Sequence, residues 1–155
     1  MTFRITGLDP APFRSLFGLP DADLAARGIR RCIADEKPGY PDRIELRDVD
    51  KGESVLLLNF THMAADSPYR SSHAIYVREG AQRTYDRVGD VPESLRSRLI
   101  SLRAFDDSGM MLDADIIEGS QLEQLIERLL AIPDVSFLHA HFARRGCYAA
   151  RIERA

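Results

Sequence analysis

Short strand-like segments joined by short connections are the feature that most restricts the fold of this chain. The segments with β-branched, aromatic or alternating patterns are 2–6, 29–34, 43–46, 54–60, 72–78, 99–105, 110–117, 135–142 and 147–153. Most connections between them are too short for the crossover that parallel strands need. The sequence therefore predicts a mainly antiparallel sheet, with a hairpin whose turn is Asp106-Asp107-Ser108-Gly109.

One amphipathic helix is predicted over 120–131. Apolar residues recur there at the spacing of a single helical face: Leu122, Leu125, Ile126, Leu129 and Leu130. Pro133 blocks its continuation. Ser120 and Glu123 fit a capping box, in which the serine caps the Glu123 amide and the glutamate reaches back.

The length of the chain suits one hydrophobic core. A chain of 155 residues, 45% of them hydrophobic, buries about 70% of the surface exposed by its unfolded form. Two short helices are expected near the N-terminus, one after Asp9 and one over 21–28. No repeat or long linker divides the sequence, so we expect a single α+β domain spanning 1–155.

Composition excludes several classes of partner. With 21 basic and 24 acidic residues and a net charge of −3, the chain lacks the basic block that binds nucleic acid. The longest strongly apolar run, 55–58, is far shorter than the roughly 20 residues of a membrane span. The first residues lack a signal-peptide pattern, so a cytoplasmic location with free Cys32 and Cys147 is expected. A monomer and a homodimer both stay open.

No standard cofactor motif is present. The ten glycines never lie closer together than nine residues, which excludes the dinucleotide fingerprint and the phosphate-binding loop. The patterns His-Glu-x-x-His, Gly-x-Ser-x-Gly and Cys-x-x-Cys are also missing. We therefore expect no cofactor.

Two histidines, His139 and His141, lie in the predicted strand 135–142. Side chains alternate along a strand, so both imidazoles should project from one face, with α-carbons roughly 6.6 Å apart. A tight turn after this strand would place Tyr148 opposite His141 and Ala150 opposite His139. This face is where we expect the core to open into a pocket.

Three interpretations of these histidines remain open. They can be hydrogen-bonded residues at the edge of the core, polar groups of a ligand pocket, or metal ligands. A metal site would need a third ligand from His73, Asp113 or Asp115, and nothing in the sequence brings one close. We therefore expect no bound metal.

A second candidate site lies in the polar stretch 67–73. A carboxylate or phosphate could be bound there by charge-assisted hydrogen bonds from Tyr69, Arg70, Ser72 and His73. The alternative is an ordinary turn whose serines bond the local backbone. His73 shares a strand side with Ile75 and should point inward, whereas His62 is expected at the surface.

Cys147 follows two arginines, and nearby cations can activate a thiol. However, a turn pairing Phe142 with Cys147 puts this thiol on the strand face opposite the histidines, so a structural role is expected. Asp113 and Asp115 alternate on a strand, but neighbouring Arg103 or simple exposure explains them. They are not expected to act as acid and base.

The order of segments along the whole chain resembles a bacterial family known as domain of unknown function 1203. The segments that carry the resemblance are 3–8, 37–41, 67–75, 102–106, 110–115, 139–141 and 146–151. The resemblance implies no activity, so the prediction of function depends on the residues alone.

The residues favour a domain that binds a small, anionic molecule. Its candidate ligand-binding residues are Tyr69, Arg70, Ser72, His73, His139, His141 and Tyr148. The alternative is a small hydrolase or isomerase that uses the same histidines as acid and base or as metal ligands.

Overall fold

A computed structural model describes residues 2–155, and within that range nine strands form two antiparallel sheets. The strands are β1 Phe3–Thr6, β2 Arg30–Ile33, β3 Ser54–Met63, β4 Ser71–Arg78, β5 Asp86–Val88, β6 Leu99–Phe105, β7 Met111–Glu118, β8 Phe137–Phe142 and β9 Tyr148–Arg154. The α-helices are α1 Asp21–Ala26, α2 Glu93–Arg96 and α3 Leu122–Leu130, and 3-10 turns cover Ala11–Leu16 and Gly119–Gln121.

The larger sheet has six strands in the order β5-β1-β9-β8-β6-β7, and the smaller one has the order β2-β3-β4. Every strand pairing in both sheets is antiparallel. The predicted hairpin joins β6 to β7, and Gly109 closes its turn with a φ of 86°, a conformation that favours glycine. The α+β class and the antiparallel arrangement are confirmed.

The predicted amphipathic helix is confirmed, and α3 packs on one face of the larger sheet. All five residues of its apolar stripe are buried, together with sheet residues such as Leu102, Leu138 and Ala140. None of the helices in the range 2–155 is long and apolar enough to cross a membrane.

The capping box at the start of this helix was a wrong prediction. The chain enters α3 through the 3-10 turn Gly119–Gln121, so Gln121 is the N-cap, and no side chain caps it. The carboxylate of Glu123 bonds Arg96 instead of reaching back. The 3-10 turn shifts the helix start past Ser120, which removes the spacing that the motif requires.

The smaller sheet lies against the other face of the larger sheet. In β8, Leu138 belongs to the core under α3, whereas its neighbour Phe137 packs with Met63 of β3. Alternating side chains point to opposite faces, so β3 and α3 contact opposite sides of β8. The ring centroids of Phe60 and Tyr148 lie 6.4 Å apart at the same junction.

The strand predicted over 43–46 is wrong, because this stretch turns. The carboxylate of Asp42 accepts the N–H of Glu45 at 2.7 Å, a local bond typical of turns. Leu46 then has a φ of 52°, which no strand residue adopts. Two short elements, β5 and α2, were not predicted.

The predicted pairing of the last two strands is correct at its turn and wrong beyond it. Tyr148 lies opposite His141, as expected, but His139 lies opposite Arg151 instead of Ala150. The ladder is interrupted between Ala140 and His141, where Ala149 is the extra residue of a β-bulge. Beyond the bulge, each β9 side chain therefore lies on the face of the sheet opposite to the one predicted.

Candidate functional site

All four histidines of the chain converge between the two sheets. The His62 Nε2 and His73 Nδ1 atoms are 2.8 Å apart, and the His62 ring centroid lies 5.0 Å from that of His141 and 5.7 Å from that of His139. His139 and His141 are 3% and 1% exposed. We call His62, His73, His139 and His141 the histidine cluster.

Strand β8 supplies two members of the cluster. His139 and His141 alternate with Leu138 and Ala140, which are buried under α3. The alternation therefore sends both imidazoles to the face that meets the smaller sheet. This part of the prediction is geometrically correct.

The smaller sheet supplies the other two members across the junction. His73 of β4 pairs with Phe60 of β3, and β3 continues past Phe60 to Met63. Between Thr61 and Met63 the register shifts, and His62 is the extra residue of this second bulge. The expectation that His62 lies at the surface was wrong, because the strand runs on beyond its predicted end.

Tyr148 forms a wall of the cluster. Its ring lies nearly parallel to that of His62, with the centroids 5.0 Å apart and an interplanar angle of 8°. Burial raises the pKa of the Tyr148 phenol, so the ring stays neutral. Tyr148 was predicted beside His141, and it lies there.

Hydrogen bonds determine which ring nitrogens are available. The Nδ1 of His141 lies 2.9 Å from the carbonyl oxygen of Gly146. A carbonyl can only accept, so this Nδ1 carries the proton and leaves Nε2 with a free lone pair. The Nδ1 atoms of His62 and His139 are buried without a hydrogen-bond partner among the described residues.

Burial keeps these imidazoles neutral. Loss of hydration lowers the pKa of His62 to about 4, that of His139 to about 2 and that of His141 to about 3. The neighbouring guanidinium of Arg103 lowers the pKa values of all three further. Neutral imidazole is the form that ligates a metal.

Three of the histidines have the arrangement of a metal-ligand set. One ligand atom each from His62, His139 and His141 lies within 4.8 Å of the others. Nitrogens bound tetrahedrally to zinc at about 2.0–2.1 Å are roughly 3.4 Å apart, so the three nitrogens would have to move closer together to bind an ion. The third side chain that lies within reach of His139 and His141 is His62, and not His73, Asp113 or Asp115 as considered from the sequence.

Arginine borders the cluster on the larger sheet. Arg103 of β6 lies opposite His139, and its Nε donates to Ser101 at 3.3 Å. Arg151 of β9 lies on the other side of His139 and bonds Glu153. Arg103 pairs with no carboxylate in the described part of the chain, so its charge is available to an anion.

Of the candidate ligand-binding residues in the stretch 67–73, His73 belongs to the histidine cluster, but Tyr69, Arg70 and Ser72 do not. Arg70 is exposed, and its Nη1 donates to the backbone oxygen of Ala64 at 2.6 Å. Tyr69 packs against Phe105, with centroids 6.2 Å apart, and Ser72 is exposed. The serine that contacts the cluster is Ser71, whose Oγ lies 3.3 Å from His62 Nε2.

The remaining candidates lie elsewhere. Asp113 and Asp115 both pair with Arg128 of α3. Their register with Ala104 and Leu102 places them on the α3 face of the larger sheet, opposite the face that carries the histidines. Arg103 was the partner proposed for them, and Arg128 is the partner found. Cys147 and Cys32 are free thiols, and Cys147 contacts Arg43.

Comparison with known proteins places the chain in a family without assigning an activity. No curated protein matches it. No solved structure matches it either. A family model described as "Protein of unknown function (DUF1203)" matches residues 39–154. That range contains every residue of the histidine cluster and its arginine border, and the chain belongs to this family, as the resemblance in its segments had implied.

Proposed function

We propose that the histidine cluster is a transition-metal site in which His62, His139 and His141 are the ligands. The observation that carries the proposal is the pair of buried Nδ1 atoms, in His62 and His139, that have no hydrogen-bond partner within residues 2–155. An unsatisfied buried polar atom costs about 1–3 kcal/mol, and coordination to a metal ion would satisfy both. Imidazole suits zinc, copper, iron and nickel.

The protonation states support metal binding over acid–base catalysis by the histidines. A general acid works best when its pKa is close to the operating pH, and three of these imidazoles have pKa values of about 2 to 4. At neutral pH these side chains are therefore neutral imidazoles, and the protonated imidazolium that would act as a general acid is not populated. The same low values leave the lone pairs free for a metal.

The hydrogen bond from His141 Nδ1 to Gly146 supports the same assignment. Metal-bound histidines usually donate their other ring N–H to a carbonyl or carboxylate, which fixes the tautomer and the ring orientation. His73 Nδ1 lies 2.8 Å from His62 Nε2. It would accept the Nε2–H of His62 and so fix the tautomer of His62, as the Gly146 carbonyl does for His141. His62 would then coordinate through Nδ1 and His141 through Nε2.

We propose further that the site takes a small anion beside the metal. Three protein ligands leave one position of a tetrahedral ion open to water or to a ligand. Arg103 borders His139 and pairs with no carboxylate among the residues that the structure describes, so it supplies the complementary charge. This extends the sequence-based prediction of an anionic ligand and replaces Arg70 with Arg103 as the main cation.

Zinc titration of metal-stripped protein tests the assignment. Calorimetry should give about one equivalent of bound Zn²⁺, and Co²⁺ should produce visible absorption bands of a four-coordinate ion. A His139→Ala, His141→Ala double variant should lose both signals. His73→Ala should retain the stoichiometry and bind about 10–100-fold more weakly, because it removes only a supporting hydrogen bond.

Arg70→Ala is the matched control, because Arg70 belongs to the same sequence segment as His73, but its exposed side chain donates to the Ala64 carbonyl and not to the cluster. This variant should bind zinc like the wild type. Failure of the stripped wild type to take up Zn²⁺, Co²⁺, Ni²⁺ or Cu²⁺ would overturn the metal assignment.

We place the protein in the cytoplasm, where its two free thiols stay reduced.

A further inference from the structure

A cavity that shares no lining residue with the histidine cluster lies beside the turn joining β8 to β9. Its volume is about 380 Å³, within the range of small-molecule sites. Four arginines line it, namely Arg43, Arg98, Arg144 and Arg145, and Cys147 lies among them. The metal proposal makes no use of this cavity.

Arg43 is the most unusual residue of the cavity, because it is a cation with only 2% of its surface exposed. It donates from Nε to the Tyr148 carbonyl at 2.8 Å, from Nη1 to the Pro41 carbonyl at 2.6 Å, and from Nη2 to Cys147 Sγ at 3.1 Å. A guanidinium has five N–H bonds, so two remain without a protein partner in these contacts.

In the described part of the chain, no carboxylate lies within ion-pair distance of Arg43. The carboxylate next to it, Asp42, accepts the backbone N–H groups of Glu45 and Arg78 and forms no ion pair with Arg43. Arginine stays charged even when burial lowers its pKa. Buried charges are normally paired, so a compensating anion is missing from the contacts of Arg43.

The rest of the cavity adds positive charge. Arg98 is neutralised by Asp48, with hydrogen bonds of 2.8 and 2.6 Å, but Arg144 and Arg145 are exposed at the opening. Neither takes part in an ion pair within residues 2–155. Glu118 is the one carboxylate among the lining residues, so the cavity has an excess of unpaired cations.

Apolar surface forms the other wall. The guanidinium carbons of Arg43 and Arg98 each lie 4.9 Å from the ring centroid of Phe142. Tyr76 and Leu99 also line the cavity. A bare inorganic ion would leave this wall uncovered, whereas a molecule with an apolar part would bury it.

We propose that this cavity binds a small organic anion, with its carboxylate or phosphate between Arg43 and the Arg144–Arg145 pair and its apolar part against Phe142. Arginine recognises both anionic groups through bidentate hydrogen bonds. The thiol of Cys147 lies at the same place as the anionic group. A bound anion therefore shields this thiol from reagents.

Protection of Cys147 from alkylation tests the proposal. A Cys32→Ser variant leaves Cys147 as the only thiol, and its reaction with iodoacetamide is followed by mass spectrometry. Benzoate and phenyl phosphate are the probes, with benzyl alcohol as the neutral control. A probe with a Kd of about 1 mM, added at about 10 mM, slows the reaction roughly tenfold, because the fraction of unoccupied protein equals 1/(1 + [L]/Kd).

Variants identify the cations that hold the probe. An Arg144→Ala, Arg145→Ala double variant changes only exposed side chains and should lose most of the protection. Arg128→Ala, an exposed arginine that pairs with Asp113 and Asp115, should keep it. Protection by only one of the two probes would identify the carboxylate or the phosphate as the preferred group.

Chelator separates this site from the histidine cluster, because protection should persist in metal-free protein. The proposal is overturned if neither anion slows alkylation, or if benzyl alcohol protects as well as they do. Equal protection by inorganic phosphate and phenyl phosphate would remove the role assigned to Phe142.

Discussion

At the residue scale, the histidine cluster concentrates side chains that folding holds in a single protonation state. Unfolded histidine titrates near pH 6.5, whereas His62, His139 and His141 have folded pKa values of about 4, 2 and 3. The unfolded chain therefore binds more protons than the folded one at mildly acidic pH. Above about pH 6.5 these histidines are neutral in both states and do not reduce the free energy of unfolding. As the pH falls from 6.5 towards the folded pKa values, the free energy of unfolding decreases.

Metal-stripped protein should consequently be acid-sensitive, and His139→Phe should reduce this sensitivity. Consider one histidine that binds a proton in the unfolded state but stays neutral in the folded state. As the pH falls from 6 to 5, this histidine lowers the free energy of unfolding by about 1 kcal/mol. His139→Phe removes one such group, so urea melts across this range should show a shallower pH dependence.

A neighbouring apolar change provides the control for this experiment. Phe105→Leu alters the packing beside His139, whose ring centroid is 5.5 Å from that of Phe105, without removing a titrating group. It should lower stability equally at both pH values. Identical slopes for His139→Phe and the wild type would show that His139 protonates in the folded state as easily as in the unfolded one.

At the element scale, regular periodicity was predictable and irregularity was not. The stripe of α3 and the shared face of His139 and His141 follow from spacing alone, because helices and strands repeat every 3.6 and 2 residues. The bulges at His62 and Ala149 break that rule, and local sequence carries no mark of them. The histidine that completes the cluster was therefore missed.

Turns were hard to distinguish from strands for a related reason. The stretch 43–46 contains residues that suit a strand, but the Asp42 carboxylate and the fully buried Arg43 hold it as a turn. Two of the three groups that accept hydrogen bonds from Arg43, the Tyr148 carbonyl and the Cys147 thiol, lie at the start of β9 and just before it, more than 100 residues away. A sequence pattern that covers only a few neighbouring residues gives no information about contacts between residues so far apart.

Helix α3 should be the element most sensitive to loss of apolar volume. Leu125 is buried between the helix and the larger sheet, and Leu125→Ala should lower the free energy of unfolding by about 2–5 kcal/mol, since it removes buried surface and leaves a cavity. Gln124→Ala is the control, because Gln124 is exposed and alanine favours helix. A Leu125→Ala loss below about 0.5 kcal/mol in urea melts, the usual scatter of surface changes, would contradict this packing.

At the scale of the whole molecule, Glu79 connects the N-terminal segment to the smaller sheet. Its carboxylate accepts the Gly18 N–H at 2.9 Å and the Arg31 Nε–H at 2.6 Å, and the Ser54 hydroxyl also donates to it. The bond from Arg31, with help from the other donors, lowers the pKa of Glu79 to about 2. One carboxylate thus joins the segment after the first 3-10 turn to β2 and β3.

Glu79→Gln should weaken this connection in a pH-dependent way. A depressed carboxyl pKa gives stability that is complete above the unfolded value of about 4.3 and lost as the pH falls towards 2. At pH 7 the loss should be about 1 kcal/mol, a low figure because the ion pair between Glu79 and Arg31 is partly solvated. The difference between variant and wild type should shrink from pH 5 to pH 3 in urea melts, and a difference independent of pH would contradict the ionic role.

The bulge in β3 has a consequence for how the cluster is inherited. His62 interrupts the ladder between β3 and β4 and has no partner in it, while its neighbours Thr61 and Met63 pair with Ser72 and Ser71. Deleting the His62 codon would leave an uninterrupted hairpin with Met63 still in its core. A lineage can therefore gain or discard the central imidazole by a single in-frame insertion or deletion, without redesigning the sheet that carries it.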